Sequence, residues 1–146
     1  SDINAALGLS QLKRIYKFLD HRKKISDYYV KELSVCYNTL SFPKYNKRNI
    51  SSNHLCLMSI NFKKNIFNKD NFLKFLKKNK IISQFHYIPI YKFKTFNERK
   101  YHHKGAEEYY KKTVSLPIFY KLKFSEHKYI IQKIKFFLKN FNNRVY

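Results

Sequence analysis

"HLCLMSINF", residues 54–62, is the stretch whose reading decides the fold. A period of two places Leu55, Leu57, Ser59 and Asn61 on one face and Cys56, Met58, Ile60 and Phe62 on the other. The second set is uniformly apolar, so the segment is expected to be a strand that turns this face to a core.

The neighbours of this strand are helical. Downstream, Asp70 or Asn68 can cap a helix carrying Phe72, Phe75 and Leu76, with Lys77 and Lys78 at its negative end and Asn79 as its stop. "IISQFHY", 81–87, then reads as a second strand, ended by Pro89. Upstream, residues 34–53 are rich in turn formers and read as a loop with room for a short strand. Before that loop, apolar residues from Ile3 to Leu33 recur at three or four, which predicts one long helix over 1–33. Ser1 and Asp2 suit its start, and the charged "DHRKK" at 20–24 is where a bend or a break is expected. Toward the other end, residues 92–104 read as an exposed basic loop and "AEEYYKKTV", 106–114, as a short helix before "SLPIF" at 115–119. Ser125 is expected to cap a last helix with Ile130, Ile131, Ile134, Phe137, Leu138 and Phe141 on one side.

A length of 146 residues with 44% hydrophobic and 18% aromatic residues suits one folded domain with a core of its own. The formal net charge of +22 raises the prospect of nucleic acid. Lysine, however, far outnumbers arginine, and Asn, Ile, Phe and Tyr are abundant while Trp is absent, as A/T-biased coding produces. The charge runs along the whole chain instead of gathering in one arm, which fits a solvated surface and makes nucleic acid an unfavoured partner. No apolar run approaches the ~18 residues of a membrane span, so no membrane partner is expected. Cys36 and Cys56 form neither a CxxC unit nor a disulfide framework, and buried free thiols in a cytoplasmic setting are expected.

Few residues carry a chemical signature. His102 and His103 are adjacent, point apart on regular structure and have no ligand at zinc spacing, so no metal is expected. Glu107 and Glu108 open a helix, where the dipole explains them without catalysis. Ser59 and Ser83 lack a Gly-x-Ser-x-Gly context, and Gly8 and Gly105, the only glycines, make no phosphate loop. "SQFHYIPIYKF", 83–93, is different. Its polar pair, histidine and interleaved tyrosines exceed what a core strand needs, and a proline-fixed loop can aim such side chains into a cleft. On a continuing strand His86 lies with Gln84 and Ile88, opposite Phe85 and Tyr87, where it reads equally as a satisfied, half-buried histidine or as a ligand contact.

The order of segments is itself recognisable. "SDINAALGLSQLKRI", "SSNHLCLMSINF", "IISQFHYIPIYKF" and "GAEEYYKKTVSLPIF", followed by a capped helix, resemble the C-terminal part of the DegT/DnrJ/StrS nucleotide-sugar aminotransferases, which are fold-type I PLP enzymes. "HYIPI" is most similar to the 4-aminotransferases of UDP-4-keto-6-deoxy-amino sugars, the pseudaminic acid branch among them. The resemblance implies an α+β fold for 1–146: one small C-terminal domain in which a small, mainly antiparallel sheet packs with helices and a long N-terminal helix leads in. It also implies a fragment. The Schiff-base lysine, and with it the site for pyridoxal 5'-phosphate, would lie upstream of Ser1, so no catalytic residue is assigned here.

His86, Tyr87 and Tyr91 occupy the region that would bind substrate. The implied partners are a nucleotide sugar, an amino-acid donor, expected to be glutamate, and a second subunit in a cytoplasmic homodimer. Two departures stand out: "YKFKTF" at 91–96 replaces the family's usual continuation, so that a second histidine becomes Tyr91, and Asn53 stands where an aromatic is common. The rival readings are a basic nucleic-acid-binding domain and a non-catalytic relative of the same fold.

Overall fold

The computed structural model describes residues 1–36, 39–44, 48–62, 68–96 and 103–142. Its centre is a three-stranded antiparallel sheet in the order β1-β2-β3, with β1 at Leu40–Ser41, β2 at Cys56–Ile60 and β3 at Thr113–Leu116. β2 alternates as expected: Cys56, Met58 and Ile60 are buried, Leu57 and Ser59 are half-buried, and Phe62 packs at the edge of the core. Leu40 pairs with Ile60, and Met58 with Val114. On the other face Ser59 Oγ and Thr113 Oγ1 share a hydrogen bond of 2.7 Å across the ladder.

The expected single helix over 1–33 is two, α1 at Asp2–Leu12 and α2 at Ile15–Leu33. The ladder tightens where the Arg14 N–H reaches the Gln11 carbonyl, three residues back, at 3.0 Å. The break therefore falls at 13–14, and 20–24 is continuous helix. There the charges support the helix instead of interrupting it, because Asp20–Lys24 and Lys23–Asp27 pair one turn apart at 2.7 and 2.6 Å. α2 buries Ile25, Tyr29 and Leu33, a stripe at four-residue spacing. α1 buries nothing, and Ile3, Leu7, Leu9 and Leu12 are exposed on it.

α3, Lys69–Lys78, begins at a capping box in which Asn68 Oδ1 accepts from the Asn71 N–H and Asn71 Oδ1 accepts from the Asn68 N–H. It ends at Asn79. Lys80 then takes φ 59°, Ile81 N–H bonds the Leu76 carbonyl and Lys80 N–H bonds that of Lys77, each at 2.9 Å. This is a Schellman ending, with Ile81 and Leu76 both buried across it.

α4 is Lys104–Lys112, so the helix expected over 106–114 starts earlier and ends sooner. Thr113 and Val114 belong to β3, because pairing with Ser59 and Met58 outweighs continuation of the helix. α5, Phe124–Asn142, starts ahead of Ser125, whose expected capping role passes to Glu126: its Oε2 accepts from the Lys123 N–H at 2.8 Å. Ile130, Ile131, Ile134, Phe137 and Leu138 are buried as the stripe requires.

One core cluster joins α2, α3 and α5 to the apolar face of the sheet. Phe72 meets Phe137 edge-on at 5.0 Å, and the His127 ring packs on Tyr29 at 4.1 Å and Tyr28 at 4.9 Å. The expected strand 81–87 reduces to one antiparallel bridge, Gln84 with Ser115, which sets that segment along the free edge of β3. No helix among the described residues is long and apolar enough to cross a membrane.

Candidate functional site

The segment 83–86 is fastened to β3 at a single residue. Ser115 N–H donates to the Gln84 carbonyl at 2.7 Å, and the Ser115 carbonyl accepts from the Gln84 N–H at 3.2 Å and from Ser83 Oγ at 2.5 Å. Ser115 is buried in the strand. Its hydroxyl meets Nδ1 of the half-buried His86 at 2.6 Å. The Tyr87 ring stands perpendicular to the imidazole, centroids 4.6 Å apart, and is itself 72% exposed. His86 and Tyr87 thus form a small polar and aromatic ledge where the bridge ends.

Tyr91 lies beyond Pro89, in a short 3-10 turn over Ile90–Lys92. Its hydroxyl donates to Glu107 Oε1 at 2.8 Å, while Lys92 Nζ reaches Glu107 Oε2 at 2.9 Å. The carboxylate pins this turn onto the first turn of α4. Lys92 first, then the Tyr91 hydroxyl, holds the Glu107 carboxyl below the ordinary carboxylate range. Partial burial, followed by the neighbouring carboxylate, pushes the Tyr91 phenol upward. Glu107 therefore does more than complement a helix dipole.

Between these two points sits Lys69, a lysine that pattern reading passed over. It is 7% exposed, its Nζ donates to the Tyr110 carbonyl, and the rings of Tyr110 and Phe85 lie 3.6 and 4.6 Å from that nitrogen. Burial lowers its pKa. Lys69 so ties α3 to α4 and to the residue beside His86.

Of the expected site residues, His86 and Tyr87 come together, and Tyr91 is held separately on α4. Gln84 does share the β3 edge with His86, but through its backbone, and its side chain is exposed. Ser115, Glu107 and Lys69 were missed as partners because each acts across 16 or more residues of chain. His103 lies with its ring 5.2 Å from that of Tyr91, and His102 falls outside the described residues. Burial pushes the Cys56 thiol up to about 12, so it is inert; Cys36 is only half-buried, and burial raises it too.

The described residues form a small antiparallel sheet backed by helices, with a polar edge outside β3. Residues 1–135 match the model of the DegT/DnrJ/EryC1/StrS aminotransferase family, and the chain belongs to that family. It is similar to the UDP-4-amino-4,6-dideoxy-N-acetyl-beta-L-altrosamine transaminase of Campylobacter jejuni, 29% identical over 136 residues, which are 89% of this chain and 35% of that protein. It is similar in structure to Helicobacter pylori PseC, an aminotransferase involved in pseudoaminic acid biosynthesis, with TM-score 0.82, 27% identity and coverage of 97% of this chain and 37% of that one. The PLP form of Streptococcus pneumoniae Spr1654 shares the fold, with TM-score 0.81, 24% identity and coverage of 97% and 36%. The chain spans about a third of the length of each of these proteins.

A pyridoxal phosphate site needs a lysine free to form an imine, an acid for the ring nitrogen and donors for the phosphate. The described residues do not supply that set. Lys69 is the one buried lysine among them, and its Nζ is committed to the Tyr110 carbonyl and two ring faces, with no buried carboxylate in the core.

Proposed function

We propose that this chain is the C-terminal domain of a PLP-dependent aminotransferase that moves an amino group from an amino acid, glutamate, to a nucleotide-linked keto sugar in surface polysaccharide or glycan biosynthesis. The observation that carries this reading is the likeness over nearly the whole chain to PseC, whose pathway makes pseudoaminic acid. The whole enzyme works as a cytoplasmic homodimer. The reacting lysine belongs to polypeptide outside these residues, and no chemical step is placed on this chain.

The part played here is positioning. His86 and Tyr87, at the end of the β3 bridge, and Tyr91, anchored on Glu107, contact the sugar nucleotide. Their support is rigid: two backbone hydrogen bonds fix 84 on 115, and an ion pair with a phenolic hydrogen bond fixes 91 on 107. A lost anchor would misplace the substrate and reduce turnover without touching the cofactor.

The test is amination of UDP-linked 4-keto sugars by the full-length protein that carries this chain, followed as glutamate-dependent release of 2-oxoglutarate. Sustained release is expected. No release with any keto sugar and amino acid offered would overturn the reading. The 146 residues alone should develop no absorbance from bound PLP, and stoichiometric binding to them would contradict the assignment of the cofactor elsewhere.

A further inference from the structure

We propose that Ser115 is a positioning residue that holds His86 as the neutral ring protonated on Nε2, so that the ring offers an N–H donor to an oxygen of the substrate. This rests on the reading of His86 as a substrate contact, and it concerns which half of a hydrogen bond that contact can supply.

The assignment follows from counting donors. Ser115 has one O–H, and among the described residues its one hydrogen-bond partner is His86 Nδ1, at 2.6 Å. If Nδ1 carried the proton, the hydroxyl would accept it, and its own hydrogen would be left without an acceptor in a residue only 6% exposed. A buried polar group left unsatisfied is the costly alternative. With the hydroxyl donating to Nδ1, both groups are satisfied and the proton of the neutral ring resides on Nε2.

Ser115 is well held for this task. Its N–H and carbonyl both bond to Gln84, Ser83 Oγ adds a third bond to that carbonyl, and β3 is paired on its other edge to β2. Ser83 and Gln84, three and two residues before His86, are therefore clamped to the same serine that meets the ring, which leaves the imidazole little freedom to turn away. Tyr87, edge-on to the imidazole, restricts it further. Nε2 has no protein partner among the described residues. An N–H there suits the acceptors of a nucleotide sugar, whose phosphate, carbonyl and hydroxyl oxygens all accept.

The experiment is a long-range proton–nitrogen correlation spectrum of the histidine-labelled protein at about pH 8.5, two units above an ordinary imidazole. The His86 signals are identified by their loss in His86→Gln. The expected pattern is an unprotonated Nδ1 and a protonated Nε2. Ser115→Ala should shift the Nδ1 signal to that of a ring nitrogen without a donor, and Ser115→Thr, which keeps the hydroxyl, should retain the wild-type pattern. A protonated Nδ1 in the wild type, a Ser115→Ala spectrum identical to the wild type, or a Thr pattern matching that of Ala would each overturn the proposal. The wild-type spectrum decides even if Ser115→Ala fails to fold. No substrate enters the measurement, so a wrong tautomer leaves the aminotransferase reading standing, and a failed amination assay leaves the tautomer standing.

Discussion

Acid should unfold this domain through His127. The residue is 3% exposed, its ring is packed on Tyr28 and Tyr29 between α2 and α5, and its Nε2 has no hydrogen-bond partner among the described residues. Burial lowers its pKa to about 4 from the ordinary 6.5. The unfolded chain therefore takes up this proton at a higher pH than the folded one. Stability is fully present above about 6.5 and is lost as pH falls toward 4. A gap of about 2.5 units corresponds to about 3 kcal/mol in full, of which about 2 kcal/mol is gone by pH 5.

His127→Phe keeps an aromatic ring between the tyrosines, removes the titration and removes the unpaired nitrogen. At pH 7.5 it should equal the wild type or exceed it by about 1 kcal/mol. Urea unfolding followed by circular dichroism at pH 7.5, 6.5, 5.5 and 5.0 would give both stability curves. Their difference isolates His127, because the carboxylates contribute to both. The difference should widen toward low pH by about 2 kcal/mol. Parallel curves would show that the ring accepts a proton without penalty in the fold, and the reasoning from burial would fail.

Lys80→Gly should raise stability by about 0.5–1 kcal/mol, since φ 59° at the Schellman position costs a side chain and costs glycine almost nothing; a loss in thermal unfolding would contradict that account. Phe72→Ala should cost about 3–5 kcal/mol, because Phe72 is fully buried against Phe137 in the core, and a chemical-denaturation midpoint little changed would sink it. Lys92→Ala and Tyr91→Phe should each let the Glu107 carboxyl titrate nearer its ordinary value, the lysine change more than the tyrosine change. Carbon-detected NMR of the side-chain carboxyls reads both, and the reverse order would mean that the hydroxyl, not the ion pair, governs this anchor.

His86 was legible as a candidate because a polar pair and a histidine exceed what a core strand needs, while a satisfied, half-buried histidine read equally well. Its partner was not legible. Ser115 stands 29 residues further on in a stretch that looks like any strand, and Glu107 seemed explained by its place in a helix. β3 was hidden for a related reason: no turn residue separates Lys112 from Thr113, so local preference carries the helix onward, and the strand exists because β2 is there to pair with it. The same holds for residues 81–87, where alternation suggested a full strand and tertiary pairing supplied one bridge.

What the residues decided alone was whatever depends on near neighbours: the two faces of β2, a helix start near Asn68 or Asp70, the buried stripe of α5 and the absence of phosphate-loop and hydrolase motifs. What only the tertiary structure decided was every contact between distant segments, namely which strand borders which, where the helix over 1–33 divides, and which serine meets which histidine. Periodicity encodes the side of an element that seeks burial, because alternation and helical spacing are local. The partner that satisfies that side, or a lone hydroxyl, is chosen by chain closure across many residues, which no local pattern records.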